Sequence, residues 1–496
     1  MNILMLNLST FPYDAEKKEY KSMVSHPFFY LVPETGEQRS VEGIYQLDPV
    51  PNMLFKEGIE LDRAIVFSTA KTRIPKEIIS DDYADGPISE VEYFLMHLKC
   101  IMSQEDADVE VIDINENQPE EAIDAASRLI ESWTANADAH LYIDTHGGFR
   151  DTQLIEEAII KLVTADRLET TVYSVHYEGS GKSFISEDKA IKIFDFVSGM
   201  NEFMNYGRID SLLKYLDFES NRELLKPIIE ISEGIQWSNL SSFENGIKHL
   251  RNYYKKDKKV DNIYLSMFEG RIRADYGGLL GDSLNGIDML KWCLKKGFYQ
   301  QALTVIEARI PYDFFAKEII KLTEDGKTFA LTHNIYQSRN CLTNGDIFNG
   351  CLYSFDTKLS WWWNTNGAGG FNSIFKNLPV NLSEYDTKIL DILSKRLPEN
   401  YKMGQDIDYE ALLLSFQKCS VIQYGQGGAI TQENAIEFVS LKEKQKQKAV
   451  ILLFLHKAIK DIRNSANHMA EENRYEQTAT KNAFVYYISL FESLIK

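Results

Sequence analysis

The 496-residue sequence has few cysteines and no long apolar run. Its five cysteines are scattered and form no C-x-x-C pair, which excludes a disulfide framework and a thiolate zinc site, so we expect buried thiols. No stretch of about 18 uninterrupted apolar residues occurs. The N-terminal MNILMLNLS lacks the basic start and cleavage site of a secretory signal. We therefore expect a soluble, cytoplasmic protein.

Positive charge is also scarce. The sequence holds 54 Lys and Arg against 73 Asp and Glu, a formal net charge of −19, which excludes a broad phosphate-coating surface. The deficit of positive charge is concentrated in residues 1–150, which hold 12 Lys and Arg and 28 Asp and Glu (12 − 28 = −16). Residues 441–482 are locally basic, with nine Lys and Arg against five Asp and Glu (9 − 5 = +4). Any contact with nucleic acid is therefore expected to be local.

The length suggests roughly two to four domains, and 44% apolar residues suffice to fill their cores. In the first part, short apolar runs alternate with helical periodicity. The predicted strands are 3–8, 61–67, 109–114, 140–143 and 170–176. The predicted helices between them are 91–102, 120–133 and 151–164. This order predicts an α/β Rossmann-like domain over residues 1–190, with a parallel sheet covered on both faces. Residues 11–60 break the alternation and are interpreted as an irregular insertion.

After residue 190 the strand signal fades and amphipathic helices follow one another. We predict an all-α remainder, divided into a connecting region, 191–330, and a C-terminal domain, 331–496. The clearest predicted helices are 191–215, 286–295, 299–308, 441–469 and 480–494. Gly-rich interruptions at 364–370 and 424–428 are expected to be loops.

Polar residues follow three of the predicted strands. After the fourth strand comes Asp144-Thr-His-Gly-Gly-Phe-Arg150, in which two glycines let backbone N–H groups approach an anion. Hydroxyl groups and a lysine follow two other strands, so the three strand ends predict one polar, cationic pocket. Its candidate ligand-binding residues are Ser9, Thr10, Ser68, Thr69, Lys71, Thr145, His146, Gly147, Gly148 and Arg150. The alternatives are a ligand-free strand-to-helix connection and hydroxyl groups that merely cap strand ends.

Asp144-Thr-His146 also matches the D-x-H opening of metallophosphoesterases. The G-D-x-x-D and G-N-H-D/E elements that complete a two-metal site are missing, so we predict no metal.

A second constellation, Arg463-Asn-Ser-Ala-Asn-His468, lies near the end of the long apolar helix predicted over 441–469. An Arg with a His a few positions later arises readily by chance in a chain with nine histidines. The locally basic surroundings and the two amides, Asn464 and Asn467, make the segment a candidate site. The alternative is a solvated helix end whose cations suit the helix dipole.

Together these features resemble the CRISPR-associated effector ribonucleases that join a CARF sensor domain to a HEPN nuclease domain. Arg463, Asn464 and His468 fill the Arg, polar and His places of the HEPN signature. The Asp144–Arg150 turn is similar to the D-x-T-H-G-F-R-like turn of CARF domains, with one additional Gly. The segment from Trp292 to Ala302 is similar to a W-x-x-x-x-G-x-x-x-Q-A helix pair that links the two domains in one branch of the family.

The resemblance implies that the first domain binds a cyclic oligoadenylate and that binding activates a metal-independent endoribonuclease acting on single-stranded RNA in type III CRISPR antiviral defence. His468 would transfer protons, Arg463 would stabilise phosphate charge, and Asn464 would orient either group. No cofactor, membrane or stable protein partner is expected beyond the activator, the RNA and a second copy of the chain.

A homodimer is predicted because one histidine cannot serve as both acid and base, whereas two copies related by a dyad supply both. Two facing pockets likewise suit a ring with an even number of nucleotides, a tetra- or hexa-adenylate. Two alternatives stay open: a transcription regulator that responds to the same ligand, and a ring nuclease that degrades the ligand in the first domain. The regulator would need a basic recognition helix, which the helical half does not offer.

Overall fold

The computed structural model describes residues 1–33, 35–45, 47–102, 108–115, 117–135, 138–148, 157–158, 168–178, 182–187, 189–214, 216, 218–256, 263–333, 341–355, 367–423, 428–467 and 475–495. The chain forms two compact units, Met1–Asp195 and Phe196–Lys496. The division into three domains made from the sequence stays a prediction.

The first unit is built on an eight-stranded sheet. Its strands, in chain order, are β1 (Asn2–Asn7), β4 (His26–Leu31), β5 (Gln38–Gly43), β6 (Arg63–Ser68), β7 (Asp108–Asp113), β8 (His140–Asp144), β9 (Glu169–Tyr177) and β10 (Ser183–Glu187). Two short strands, β2 (Tyr13–Asp14) and β3 (Glu19–Tyr20), form a separate hairpin. Across the sheet the order is β5-β4-β10-β9-β8-β1-β6-β7.

Five adjacent strands, β9-β8-β1-β6-β7, are parallel. The chain adds β6 and β7 on one side of β1 and then returns to place β8 and β9 on the other side. The direction of winding therefore reverses between β1 and β8, and such a switch point opens a crevice at the carboxyl ends of the strands. The register aligns those ends, because Leu6 pairs with Asp144 and Asn7 pairs with Phe67.

Both faces of the sheet are covered, as the run of apolar residues in its central strands predicts. Leu4 and Leu6 of β1 face one apolar core, and Ile3 and Met5 face another. The helices of this unit are α1 (Pro49–Lys56), α2 (Glu90–Ile101) and α3 (Pro119–Thr134). The expected α/β Rossmann-like first domain is confirmed, with a sheet that is mixed and mostly parallel.

The expectation of an irregular segment over 11–60 is wrong. Strands β4 and β5 pair antiparallel and extend the main sheet, and α1 follows them. Strand β5 carries one apolar side chain, Val41, so its sequence shows no alternation of apolar and polar residues. The predicted helix 151–164 lies outside the described residues except for 157–158.

The second unit is largely helical. Its helices are α4 (Lys189–Tyr206, which begins in the first unit), α5 (Asp210–Leu213), α6 (Phe218–Gln236), α7 (Leu240–Lys255), α8 (Ile263–Tyr276), α9 (Gly286–Lys296), α10 (Tyr299–Ala308), α11 (Ile310–Ala316), α12 (Glu324–Thr332), α13 (Asn344–Ser354), α14 (Gly367–Phe375), α15 (Ser383–Arg396), α16 (Tyr409–Phe416), α17 (Glu443–Asn467) and α18 (Gln477–Ile495). Two 3₁₀ turns occupy Gly277–Leu279 and Glu399–Tyr401. The expected helical second half is confirmed.

Short two-stranded pairs interrupt these helices, a feature that the expectation of an all-α remainder missed. They pair β11 (Ile320–Leu322) with β16 (Ile436–Phe438), β12 (Lys402–Met403) with β13 (Asp406–Ile407), and β14 (Cys419–Gln423) with β15 (Gly428–Gln432). Helix α14 also begins inside the expected loop 364–370.

The helix predicted over 191–215 ends at Tyr206 instead of continuing to Tyr215. Gly207 breaks it, with a positive φ of 70° and a backbone position at which a Cβ would meet Ile235. The cysteine expectation is correct for three residues and wrong for Cys100 and Cys341, which are exposed. Among the described helices, none combines the length and the apolar character that crossing a bilayer requires.

Candidate functional site

The turn after β8 packs directly against the end of β1. A Cβ placed on Gly147 would lie 1.8 Å from the carbonyl oxygen of Asn7, so only glycine fits there. Gly148 follows with a positive φ of 88°, a conformation that favours glycine. Its N–H donates to Ser9 Oγ at 2.8 Å. The two glycines therefore hold the β8 turn and the β1 loop together at the switch point.

The loop after β6 contributes buried hydroxyl groups and an exposed lysine. Ser68 donates its hydroxyl to Asp113, and Thr72 Oγ1 donates to the carbonyl oxygen of Thr69 at 2.9 Å. The hydroxyl oxygen of Thr69 is buried and has no hydrogen-bond partner among the residues that the structure describes. Lys71 is exposed. Of the candidates on this strand end, Lys71 is thus the one whose side chain reaches solvent, whereas Ser68 is engaged inside the structure.

Glu90, which sequence reasoning missed, ties the β1 and β6 loops together. It is fully buried at the start of α2, where Ser89 and Glu92 form a capping box. Its carboxylate accepts the backbone N–H of Phe11 at 2.8 Å and pairs with Lys76. The Lys76 ammonium also donates to the carbonyl oxygen of Lys71 at 2.9 Å. A buried charge is stable only with such partners, so this pair fixes the backbone beside Thr10 and Lys71.

His146 contacts the end of β9. Its Nε2 lies 3.3 Å from the hydroxyl oxygen of Tyr177, and the two ring centroids are 5.3 Å apart. Burial lowers the pKa of His146, and the nearby His176 lowers it further. The imidazole is therefore neutral at physiological pH. Thr145 donates its hydroxyl to the carbonyl oxygen of Tyr173 at 3.1 Å, which anchors the first residue of the turn.

Asp144 is a second residue whose role the sequence did not indicate. It is fully buried; Oδ1 accepts the backbone N–H of His146 at 2.9 Å, and Oδ2 has no hydrogen-bond partner in the part of the chain that the structure describes. Burial raises the pKa of this carboxyl to about 7, against the lowering effect of the His146 hydrogen bond. The sequence feature that could have pointed to Asp144 is its position at the end of an apolar, buried strand. Arg150, the remaining candidate on this turn, lies outside the described residues.

The second candidate site lies on α17. From Ala449 to Leu455 this helix is buried on all sides, which is typical of a helix through the centre of a core. Beyond it, the next turns carry Lys460 and Arg463, whose side chains are partly exposed. Asn464 is exposed beside them, and His468 lies outside the described residues. The structure thus places Arg463 and Asn464 in the last turns of α17.

Arg463 is held by Glu307 of α10. The Arg463 NH1 group lies 2.7 Å from Glu307 Oε2, and Lys460 Nζ lies 3.8 Å from Glu307 Oε1. Lys460 also donates to Asn349 Oδ1 at 3.1 Å. Burial lowers the pKa of Lys460, while the charge of Glu307 raises it. The sequence did not single out Glu307, because no local pattern links residues so distant along the chain.

His456 lies two turns earlier on the same helix and is unsuited to proton transfer with a substrate. It is fully buried, and its Nδ1 shares a hydrogen bond of 2.7 Å with the Tyr487 hydroxyl. Burial lowers the pKa of His456 to about 3, and the positive charge of Lys460 adds to this effect. Its role is therefore to join α17 to α18.

The described part of the chain contains no group of three or more His, Cys, Asp or Glu side chains placed to hold a metal ion. The residues around Arg463 offer cations and amides instead, a donor set that suits phosphate oxygens.

A comparison with models of known protein families matches part of the chain. Residues 192–273 match the sequence model of the second domain of CRISPR-associated protein MJ1674. A search of curated protein sequences returned no match. Among solved structures, the chain is similar to Enterococcus italicus Csm6 bound to cyclic hexa-2'-fluoro-hexa-dAMP, at 10% identity. That alignment covers 100% of this chain and 93% of the other, with a TM-score of 0.30, too low to establish a shared fold.

The buried carboxyl of Asp144 predicts a pH-dependent stability difference. The pKa of the folded state, about 7, lies above the ordinary 3.8 of the unfolded chain, so the cost of burying Asp144 appears above pH 4 and levels off above pH 7. Asp144→Asn removes this cost. Its stability advantage over the wild type should grow by about 2–3 kcal/mol between pH 5 and pH 8, measured by urea unfolding. An exposed control, Asp85→Asn, should show no such trend; a constant difference for Asp144→Asn would contradict the assignment.

Proposed function

We propose that the chain is a metal-independent endoribonuclease that cleaves single-stranded RNA and is activated by a cyclic oligoadenylate in CRISPR-based antiviral defence. The first unit would bind the activator at the switch point of its sheet, and α17 would carry the catalytic groups. The observation that carries the proposal is the order of the parts: a glycine turn at a sheet switch point, a segment similar to a CRISPR-associated domain, and then the Arg463 helix.

The geometry of the switch point supports an anionic ligand. The unit is strongly acidic, so affinity for a phosphate ring cannot come from a basic surface. The turn at Gly147 and Gly148 brings the β8 and β1 loops together at the carboxyl ends of the strands, where doubly wound sheets bind ligands, and the exposed Lys71 follows β6, the neighbour of β1. Ser9, Thr10, Thr145, His146 and Arg150 complete the proposed binding set.

The end of α17 supports RNA cleavage through its cations. RNA cleavage by side chains needs a base for the 2′-hydroxyl, an acid for the leaving 5′-oxygen, and positive charge on the phosphate. Arg463 supplies the charge, Asn464 orients either the histidine or the phosphate, and His468 transfers the proton. A second copy of the chain would bring the other histidine, which makes a homodimer part of the proposal.

Replacing the proposed catalytic histidine tests the reaction directly. His468→Ala should lower activator-stimulated cleavage of labelled single-stranded RNA by about 100-fold or more, because it removes general acid-base catalysis. His249→Ala removes a half-exposed histidine of α7 and should leave the rate unchanged. The wild-type rate should also persist in EDTA. Retention of stimulated cleavage by His468→Ala would rule out the catalytic assignment.

Removal of three pocket residues tests the sensor. A Lys71→Ala, His146→Ala, Arg150→Ala triple variant should need at least about tenfold more cyclic tetra- or hexa-adenylate for half-maximal stimulation, because two cations and one neutral hydrogen-bonding group are lost from the proposed pocket. A Lys99→Ala, Arg128→Ala variant removes two exposed cations elsewhere on the same unit and serves as the control. An unchanged activation curve for the triple variant would place the ligand elsewhere.

Two other functions remain as alternatives. A ligand-responsive DNA-binding regulator is disfavoured because Lys446, in the most lysine-rich segment, pairs with Glu410 and Glu443. Cleavage of the ring itself is favoured by the neutral His146 beside Tyr177, which places a potential base at the proposed pocket. Incubating the protein with labelled RNA, duplex DNA and cyclic oligoadenylates separates the three.

A further inference from the structure

Glu307 is placed where it can control the orientation of Arg463. It lies near the end of α10, and its carboxylate contacts Arg463 NH1 at 2.7 Å while facing Lys460 at 3.8 Å. All three side chains are mostly buried, with 20% to 30% of their surface exposed. The Glu307 carboxylate therefore forms ion pairs with both Lys460 and Arg463. These pairs are partly desolvated, so they are screened less than ion pairs at the surface.

Hydrogen bonds made by Asn349 of α13 hold Lys460, the second cation beside the Glu307 carboxylate, in place. Asn349 Nδ2 donates to the Gly345 carbonyl oxygen at 3.0 Å, which turns its own oxygen toward the Lys460 ammonium. Lys460 is thereby fixed between α13 and α10. With Lys460 fixed, the second oxygen of Glu307 is directed at Arg463. Three helices thus meet at one polar cluster: α10, α13 and α17.

A long arginine side chain loses much conformational freedom when it binds a phosphate, and prior anchoring reduces that loss. The contact with Glu307 engages NH1 of the guanidinium, and the Nε nitrogen of Arg463 is buried without a hydrogen-bond partner among the described residues. A guanidinium binds phosphate by donating two parallel N–H hydrogen bonds from one of its edges. The orientation in which Glu307 holds Arg463 therefore determines which edge of the guanidinium faces the substrate.

We propose that Glu307 is a positioning residue that orients the Arg463 guanidinium for the scissile phosphate; this inference rests on the ribonuclease function proposed above. Glu307 does not touch the RNA. Its negative charge weakens the attraction of Lys460 and Arg463 for the RNA before reaction, while its hydrogen bond holds Arg463 where charge develops. Glu307 therefore lowers ground-state affinity and raises the rate of the chemical step.

Glu307→Gln separates these two effects, because it removes the charge and keeps the shape. In the full-length protein with saturating cyclic oligoadenylate, kcat for a fluorogenic single-stranded RNA should fall about 10- to 100-fold, and KM should fall or stay constant. Glu307→Asp keeps the charge but shortens the side chain, so kcat should fall with KM unchanged. Glu492→Gln breaks an exposed pair of similar length, 2.6 Å to Lys291, and should change neither constant.

A double-variant cycle shows whether Glu307 acts through Arg463. In an Arg463→Ala background, Glu307→Gln should cause no further loss of kcat, because nothing is left to orient. An independent loss, a raised kcat or an unchanged kcat in Glu307→Gln would each overturn the inference while the wild type remains an active ribonuclease. A wild-type protein that cleaves no RNA would instead overturn the proposed function and the inference with it.

Discussion

The close approach of two backbones at the switch point of the sheet is the constraint on which the first unit depends. The carbonyl oxygen of Asn7 occupies the space that a side chain at position 147 would need, and the next N–H donates to Ser9. This packing requires β1 and β8 to be neighbours with aligned ends. The crevice, the loops that flank it and the buried carboxyl of Asp144 all follow from that alignment.

The second unit depends on a different constraint, the burial of α17. A helix that is apolar all round for two turns can lie only inside a core, and this fixes the path that the helix takes. Its next turns emerge with Lys460 and Arg463 against α10 and α13. Hydrophobic packing therefore places the two cations, Glu307 supplies the opposite charge, and Asn349 accepts a hydrogen bond from Lys460. A site on such a helix is held more firmly than one on a loop.

Much of the first unit could be predicted from the sequence, because buried parallel strands are continuous apolar runs. Strands β1, β6, β7 and β8 lie within about two residues of their predicted ends. The hairpin of β4 and β5 was missed because it gains stability from pairing with β10 rather than from its own pattern. The glycine turn and the Arg463 helix were visible as motifs. Glu90 and Glu307 were not, since each acts through residues that only the fold brings near.

The proposed function requires two sites, one for a cyclic activator and one for RNA, and it requires that the first control the second. The most direct measurement is the initial rate of RNA cleavage as cyclic tetra- or hexa-adenylate is titrated, with the linear oligoadenylate of equal length as the reference. The account predicts a rate near zero without ligand, and a saturating rise with the cyclic form at one ring for every two chains. Cleavage at the same rate with and without every ring would contradict it.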